Sequence, residues 1–267
     1  MDNKKNPFAH KAKKRFGQNF LQDEYIIERI VKAINPKPDN KIVEIGPGLG
    51  ALTTQLLPLC QTMDAIELDR DIIPKLRVSC ATLGELTIHE IDVLKFDFNQ
   101  LSNNDTKLKV VGNLPYNIST PIMFHLLKHA NIIGEMIFMV QKEVAERITA
   151  QPGCKDYGRL SIMLQYHCET QYLFIVPPES FTPAPKVDSA IIRLIPYSQL
   201  PYLADDENLL SQIVTQAFSQ RRKTLRNTLK KTVNDDLWEK SGIDPSLRPE
   251  MISVQQYVEL SNLLNQS

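Results

Sequence analysis

The sequence has few cysteines and no long hydrophobic run, and these absences exclude several classes of protein. Its four cysteines, Cys60, Cys80, Cys154 and Cys168, are too widely spaced for a zinc knuckle, a CxxC redox pair or a disulfide framework, so we expect them to be buried as small hydrophobic side chains. No apolar stretch approaches the roughly 20 residues that span a bilayer, and the basic N-terminus has no apolar signal-peptide core. A cytoplasmic protein is therefore expected.

Net charge is also absent, because 31 Lys and Arg balance 31 Asp and Glu. The basic residues are nevertheless concentrated in two segments. Residues 1–15 carry Lys4, Lys5, Lys11, Lys13, Lys14 and Arg15, and residues 219–231 carry Arg221, Arg222, Lys223, Arg226, Lys230 and Lys231. Two such segments in a neutral protein are typical of contact with a polyanion, although each one alone is more often a solvated surface.

The glycine-rich turn Gly46-Pro47-Gly48-Leu49-Gly50 lies between a predicted strand, Lys41–Ile45, and a predicted helix. Absent Cβ atoms in such a turn allow a nucleotide to approach the backbone and the start of the helix. The next predicted strand reaches Glu67, 21 residues after Gly46, where a carboxylate can accept both ribose hydroxyls of an adenosine. Because Gly46, Gly48 and Ala51 also satisfy the dinucleotide pattern, NAD remains an alternative here.

Asp92 lies at the carboxyl end of the third predicted strand, Leu86–Asp92. A carboxylate at the carboxyl end of a strand can accept a hydrogen bond from an adenine amino group. It can equally cap the turn that begins at Val93, and the sequence leaves the two roles open.

The segment Asn113-Leu114-Pro115-Tyr116 follows a short β-branched run, Val110-Val111-Gly112. Gly112 lets the strand pass close to a neighbour and Pro115 forbids its continuation, so the segment is predicted to protrude beyond the strand. The Asn113 amide oxygen and a main-chain carbonyl can accept hydrogens from an NH2 group, while the Tyr116 ring stacks on the heterocycle that carries it. An ordinary proline turn with a packed tyrosine is the alternative.

A stiff loop with four prolines, residues 177–187, presents Phe181. A fixed aromatic ring there can form the second face of a stacking slot, or it can simply be a core side chain.

Strands alternate with helices up to about residue 196, which predicts an α/β domain with a mostly parallel sheet. Tyr172–Val176 and Ala190–Ile195 have no long helix between them and are expected to pair antiparallel at one edge. Beyond Asp205 only short amphipathic helices are predicted, at 208–218, 222–232, 235–241 and 254–264. The predicted domains are therefore residues 1–200 and a helical domain at 201–267.

Six motifs together resemble those of the ribosomal RNA adenine N6-dimethyltransferases, and within them the bacterial small-subunit, kasugamycin-resistance group. The similarity covers about residues 10–260. The motifs are Phe16-Gly17-Gln18-Asn19-Phe20-Leu21, Glu44-Ile45-Gly46-Pro47-Gly48-Leu49-Gly50, Glu67-Leu68-Asp69, Asn113-Leu114-Pro115-Tyr116-Asn117-Ile118-Ser119, Phe181-Thr182-Pro183 and Gln220-Arg221-Arg222-Lys223.

The resemblance implies a Rossmann-like class I methyltransferase sheet of seven strands, the last one antiparallel, with a small all-α C-terminal domain, residues 201–267, that binds RNA or the ribosome. It implies S-adenosylmethionine-dependent dimethylation of two adjacent adenosines in the 3′-terminal hairpin loop of 16S rRNA, and a role in small-subunit maturation. Implied cofactor contacts are Asn19, Leu21, Gly46, Gly48, Glu67, Asp92 and Asn113. The expected catalytic residues are Asn113, Leu114, Pro115, Tyr116 and Phe181, with Arg221, Arg222, Lys223, Lys13, Lys14 and Arg15 on the RNA. No metal is expected, and a monomer is the default.

Three other functions compete with this interpretation. A NAD-dependent oxidoreductase fits the glycine turn but leaves Asn113–Tyr116 and the basic segments unexplained. A large-subunit rRNA resistance methyltransferase shares the motifs and differs in its RNA target. An assembly checkpoint protein would bind immature small subunits, with methylation only triggering its release.

Overall fold

The structure is a computed structural model that describes residues 18–102, 106–220 and 222–267. Contacts divide the chain into two compact units, one formed by the residues up to Lys142 with Gln171–Pro196, the other by Glu143–Thr170 with Tyr197–Ser267. The predicted boundary near residue 200 lies close to Pro196–Tyr197, where the chain passes into the second unit for the second time. It differs for Glu143–Thr170, which groups with the C-terminal helices because the helix at Arg159–His167 packs on those at Glu207–Ala217 and Val254–Asn265.

The N-terminal unit is built on a seven-stranded sheet. Nine strands are described in all: β1 Phe20–Leu21, β2 Lys41–Ile45, β3 Thr62–Glu67, β4 Glu85–Glu90, β5 Leu108–Asn113, β6 Ile133–Gln141, β7 Cys168–Val176, β8 Phe181–Thr182 and β9 Ser189–Pro196. The sheet order is β4-β3-β2-β5-β6-β9-β7, and β1 pairs separately with β8. Neighbours from β4 to β6 run parallel and β9 runs antiparallel to β6. The predicted fold class is confirmed, including the antiparallel last strand.

Among the described residues of this unit there are four α-helices: α1 Glu24–Ile34, α2 Thr53–Cys60, α3 Ile73–Cys80 and α4 Ser119–Leu127. The predicted start of α1 is confirmed, because Asp23 is its N-cap and accepts a hydrogen bond from the Ile26 amide at 3.2 Å. Ile26, Ile30 and Ile34 recur at helical spacing and are buried in the core.

The sheet order reverses beside β2, since the chain proceeds outward from β2 to β4 and then returns to β5 on the other side. Ligands of open α/β sheets bind at such a point, beyond the carboxyl ends of the strands. Gly112 makes the close approach of β5 and β2 possible, because a Cβ atom there would lie 2.4 Å from the Ile45 carbonyl oxygen.

The second unit is helical. The chain passes into it at the start of α5, Lys142–Thr149, and the helices that follow are α6 Arg159–His167, α7 Glu207–Ala217, α8 Leu225–Thr228, α9 Asp235–Ser241 and α10 Val254–Asn265. The predicted helix over 222–232 is wrong in extent, because α8 covers only four residues. Thr224 is extended, and the amides of Leu225 and Arg226 donate to the carbonyls of Leu247 and Pro245, each at 2.9 Å. Pairing with a distant loop thus fixes where this helix begins.

Three cysteines are buried as predicted, at positions 60, 80 and 168, whereas the prediction is wrong for Cys154, which is exposed. In the described ranges, no helix has both the length and the apolar character needed to cross a bilayer.

Candidate active site

A cavity of about 670 Å³ opens at the carboxyl ends of β2, β3 and β5. Its wall includes every residue predicted to contact a cofactor and four of the five predicted catalytic residues. These are Asn19, Leu21, Gly46, Gly48, Glu67, Asp92, Asn113, Leu114, Pro115 and Tyr116. The fold therefore brings together segments that are nearly a hundred residues apart in the sequence.

The glycine turn after β2 forms one wall of the cavity. Gly46 has φ +65° and Gly48 has φ +56°, backbone conformations that residues other than glycine rarely adopt. The Gly46 amide donates to the Ile66 carbonyl at 2.9 Å, which ties the turn to β3. A Cβ atom on Gly48 would lie 3.4 Å from the Phe20 ring, so the turn also lies directly against the segment at β1.

Glu67 ends β3 and is only 8% exposed. Its Oε1 accepts from the Asp69 amide at 2.8 Å, and its Oε2 accepts from the Gly48 amide at 3.4 Å. Burial raises the pKa of this carboxyl, and the backbone donors oppose that rise. Held in this way, its two oxygens can each accept one of two vicinal hydroxyl groups, as on a ribose.

The structure gives Asp92 the geometry for both roles that the sequence left open, capping a turn and accepting a hydrogen bond from a ligand. Its Oδ1 accepts from the Leu94 amide at 3.0 Å and caps the 3-10 helix Val93–Lys95. Its side chain also lines the cavity, and among the described residues Oδ2 has no partner. One oxygen is thus structural, while the other can accept a hydrogen bond from a ligand.

Asn113 is the last residue of β5. Its Nδ2 donates to the Asn19 carbonyl oxygen at 3.2 Å, so its acceptor atom Oδ1 is the end left for a ligand. The next residue, Leu114, donates its amide to the Met139 carbonyl at 3.1 Å. Within the described chain, neither Asn113 Oδ1 nor the Leu114 carbonyl oxygen accepts a hydrogen bond, which leaves two acceptors on adjacent residues at the cavity.

Tyr116 is held by its hydroxyl group. Its Oη lies 2.6 Å from Oγ of Ser189, a fully buried residue at the start of β9. Burial raises the pKa of the phenol, whereas the bond to Ser189 lowers it. The phenol is therefore neutral at physiological pH, and one hydrogen bond fixes the end of its ring.

Phe181 is the one predicted catalytic residue outside the cavity wall. It is 3% exposed and belongs to the hydrophobic core with Leu21 and Ile191. It lies in β8, opposite Leu21 in the β1–β8 pair. The backbone thus joins Phe181 to the segment that covers the cavity, and its stacking role stays a prediction.

Sequence reasoning assigned no function to Ser189, to the Asn19 carbonyl or to the Glu44 side chain. Glu44 lies in the middle of the sheet, 2% exposed, and its Oε2 accepts from Thr53 Oγ1 at 2.6 Å. Burial raises its pKa to about 7, against the opposing hydrogen bond from Thr53. The available signal was an acid between the apolar residues Val43 and Ile45, immediately before the glycine turn.

The predicted RNA-binding residues are only partly described. Lys13, Lys14, Arg15 and Arg221 lie outside the described residues. Arg222 and Lys223 are exposed in the second unit, just before α8. In the part of the chain that the structure describes, no three His, Cys, Asp or Glu side chains are grouped to hold a metal ion.

The reversal of strand order beside β2 and the antiparallel β9 define the fold of the class I S-adenosylmethionine-dependent methyltransferases. The cavity fits that cofactor, because glycine backbone and paired carboxylate oxygens meet at the place where an adenosine would lie. The ribosomal RNA adenine dimethylase family profile matches residues 9–266, and the chain belongs to this family. It is therefore an S-adenosylmethionine-dependent rRNA adenine dimethyltransferase.

Relatives and solved structures agree with this assignment. The chain is 53% identical to "Ribosomal RNA small subunit methyltransferase A" of Pseudomonas syringae pv. tomato over 97% of each chain. It is 55% identical to the protein of the same name from Hydrogenovibrio crunogenus, over 95% of this chain and 97% of the other.

Among solved structures, a dimethyladenosine transferase from Plasmodium falciparum matches with a TM-score of 0.77 and 26% identity, covering 90% of this chain and 95% of that one. The 23S rRNA methyltransferase ErmE matches with a TM-score of 0.72 and 24% identity, covering 93% of this chain and 100% of that one, which supports the fold alone.

Proposed function

We propose that this protein transfers two methyl groups to N6 of each of two adjacent adenosines in the 3′-terminal hairpin loop of 16S rRNA. The substrate is the small ribosomal subunit or its precursor, and the enzyme acts as a cytoplasmic monomer. The small-subunit names of relatives more than 50% identical over nearly the full chain support this choice of RNA.

The observation that carries the chemistry is the pair of acceptors at Asn113 Oδ1 and the Leu114 carbonyl. The amino nitrogen of adenine is a poor nucleophile because its lone pair is delocalised into the ring. Acceptors for its two hydrogens favour a pyramidal nitrogen and stabilise the positive charge that develops on it. An amide and a carbonyl are sufficient for this, so no strong base is required, and the methylated nitrogen releases its extra proton to solvent.

The cofactor supplies an electrophilic methyl group on a sulfonium, and the protein has to orient the acceptor nitrogen in line with it. In this proposal Glu67 accepts from the ribose hydroxyls and Asp92 Oδ2 accepts from the adenine amino group of the cofactor. Asn19, Leu21, Gly46 and Gly48 complete the wall around it. Pro115 stiffens the turn that carries the two acceptors, which limits their motion relative to the methyl group.

The target adenine has to leave its stack, which costs a few kcal/mol and less for a loop nucleotide. Stacking on the Tyr116 ring, at roughly 1–3 kcal/mol per base, offsets much of this cost. We assign the second face of the slot to Phe181. Because that ring is buried opposite Leu21, this role requires the β1–β8 pair to shift when RNA binds.

The second transfer starts from a monomethylated amino group with a single N–H. That hydrogen can be held by one of the two acceptors, while the first methyl group occupies the place of the other hydrogen. The site therefore needs room for a methyl group beside Asn113 or Leu114.

The RNA backbone is held by basic side chains, for which we propose Arg221, Arg222 and Lys223 with Lys13, Lys14 and Arg15 from the N-terminal segment. Contacts of this kind position the substrate without reading its sequence, and their affinity falls as salt rises.

The test is transfer of labelled methyl groups from S-adenosylmethionine to small subunits that lack the modification, with large subunits and adenine-containing DNA as controls. N6-dimethyladenosine near the 3′ end of the small-subunit RNA is expected. Label on the large subunit alone would instead indicate the resistance type of enzyme. Tight binding to small subunits without any transfer would contradict the catalytic role and favour an assembly factor.

A further inference from the structure

A second groove, of about 600 Å³, lies between α1 and the edge strand β7 of the N-terminal unit. It shares no lining residue with the cofactor cavity. Its wall contains two aromatic rings, Tyr25 and Phe174, and three cations, Arg29, Lys32 and Arg193, against one acid, Glu28. The groove is thus both basic and aromatic.

The helix places these groups away from the core. One face of α1 is buried in the core through Ile26, Ile30 and Ile34. Tyr25 and Arg29, spaced i, i+4, lie on another face of the helix, and Lys32 follows on that face one turn after Arg29. Tyr25 is 66% exposed, among the most exposed large apolar side chains of the described chain. The ring is therefore accessible to a ligand at the wall of the groove.

Among the residues that the structure describes, two of the three cations of the groove have no acid partner. Arg29 Cζ lies 3.9 Å from the centroid of the Phe174 ring and 5.7 Å from that of Tyr25. Within the described ranges neither Arg29 nor Lys32 forms a hydrogen bond or an ion pair. Arg193 differs, since it is paired with Glu135 at 2.7 Å and donates to the Ala33 carbonyl at 2.7 Å. Two available cations therefore flank an aromatic surface.

We propose that this groove binds an unpaired segment of the substrate RNA, outside the loop that is methylated. One base stacks on Tyr25, while Arg29 and Lys32 hold the adjacent phosphates. An exposed aromatic ring beside cations without an acid partner is a combination that recognises single-stranded nucleic acid. The inference rests on the proposed function, because the partner is taken to be the rRNA of the subunit that the enzyme modifies.

The test measures binding of the full chain to unmodified small subunits, and to naked rRNA extracted from them, across a range of salt concentrations. Tyr25→Ala is expected to weaken both complexes about fivefold or more, since one stacking contact is lost. Tyr25→Trp should retain the affinity. Arg29→Gln with Lys32→Gln should lower the slope of log affinity against log salt by roughly 1 to 1.5. Arg77→Gln, an exposed arginine on α3, is the matched control and should change neither quantity.

Unchanged affinity and salt dependence in the Tyr25 and Arg29/Lys32 variants would overturn the proposal. So would a loss of binding to whole subunits with unchanged binding to naked rRNA, because the groove would then hold a ribosomal protein. Affinity for S-adenosylmethionine should stay at the wild-type value in every variant, and a parallel loss of it would contradict a separate site. Failure of the proposed function is distinguishable, because it would appear in the wild-type enzyme as an absence of methyl transfer to small subunits.

Discussion

The side-chain nitrogen of Asn113 donates to the backbone carbonyl of Asn19 at 3.2 Å, although the two residues are 94 positions apart. An asparagine amide has a donor end and an acceptor end, and this bond uses the donor end. The carbonyl of Asn19 thereby fixes the orientation that leaves Oδ1 as an acceptor at the cavity. The segment around β1 thus determines the polarity of the group that we assign to the amino nitrogen of the substrate.

Replacing Asn113 should separate catalysis from binding. Asn113→Ala removes the acceptor, and Asn113→Asp cannot donate to the Asn19 carbonyl when it is ionised. By comparison with loss of a single oxyanion-hole donor, the rate of methyl transfer in a single turnover should fall by roughly 10²–10³. Affinity for small subunits should remain within about twofold of wild type, because binding arises mainly from phosphate contacts.

The exposed Asn99→Ala is a control for loss of an asparagine that does not line the cavity. A loss of subunit binding that parallels the loss of rate would show that Asn113 is needed for docking rather than for the transfer step.

Local signals were sufficient for part of this site. Gly112 and Pro115 bracket the end of β5, and Glu67 follows the glycine turn at a spacing set by one βαβ unit, so the sequence placed both at the sheet edge. The bonds from Asn113 to Asn19 and from Tyr116 to Ser189 could not be predicted in this way. They join residues 94 and 73 positions apart, and no local periodicity encodes such pairs.

The division of the chain into two units could be predicted only in part from the sequence, for a related reason. A largely apolar helix such as α6, in which Ser161–Leu164 are all buried, has the same sequence pattern whether it covers a sheet or packs in a helical bundle. Similarly, the short extent of α8 depends on bonds from Leu225 and Arg226 to residues about 20 positions away. Tertiary contacts therefore determined what the sequence pattern left undetermined.

The bond between Tyr116 and Ser189 predicts that Ser189 positions the stacking ring. Ser189→Ala removes the anchor of the phenol, and a neutral hydrogen bond contributes about 0.5–1.5 kcal/mol. The KM for small subunits should therefore rise roughly threefold to tenfold, while affinity for S-adenosylmethionine stays unchanged. Steady-state kinetics with subunits and calorimetry with the cofactor check these two quantities.

Tyr116→Phe is the matched variant, because it retains the ring and loses the same bond. The double variant should be little worse than either single one, as expected for two partners of one interaction. Fully additive effects on KM would contradict a positioning role for Ser189.

The raised pKa of Glu67 predicts how cofactor binding depends on pH. A carboxylate can accept from two ribose hydroxyls only when it is ionised. Burial raises its pKa above the usual 4.5, so affinity for S-adenosylmethionine should decline as the pH is lowered through that raised pKa. Calorimetric titrations at several pH values measure this decline.

Glu67→Gln should weaken binding by about tenfold or more near neutral pH, since hydrogen bonds to charged groups contribute about 1.5–3 kcal/mol. Its affinity should vary less with pH than that of wild type. Glu85→Gln, an exposed acid on β4, is the control. Identical pH profiles for wild type and Glu67→Gln would exclude this carboxylate as the titrating group.

The raised pKa of Glu44 predicts that the stability of the folded protein depends on pH. Burial raises its pKa from 4.5 to about 7, so between these values the folded cofactor-free protein binds a proton that the unfolded chain has released. The contribution of Glu44 to the free energy of unfolding therefore falls as pH rises from about 4.5 to about 7, and is constant on either side. The full difference corresponds to roughly 3 kcal/mol as an order of magnitude.

Glu44→Gln is neutral at every pH and keeps an amide oxygen that can accept from Thr53. The denaturation midpoint of Glu44→Gln minus that of wild type should thus be larger at pH 8 than at pH 5. Urea unfolding without cofactor measures both midpoints. Thr53→Ala should move the transition to higher pH, because the hydrogen bond from Thr53 lowers the pKa of Glu44. A difference between Glu44→Gln and wild type that is the same at pH 5 and pH 8 would show that Glu44 is ionised in the folded protein throughout this range.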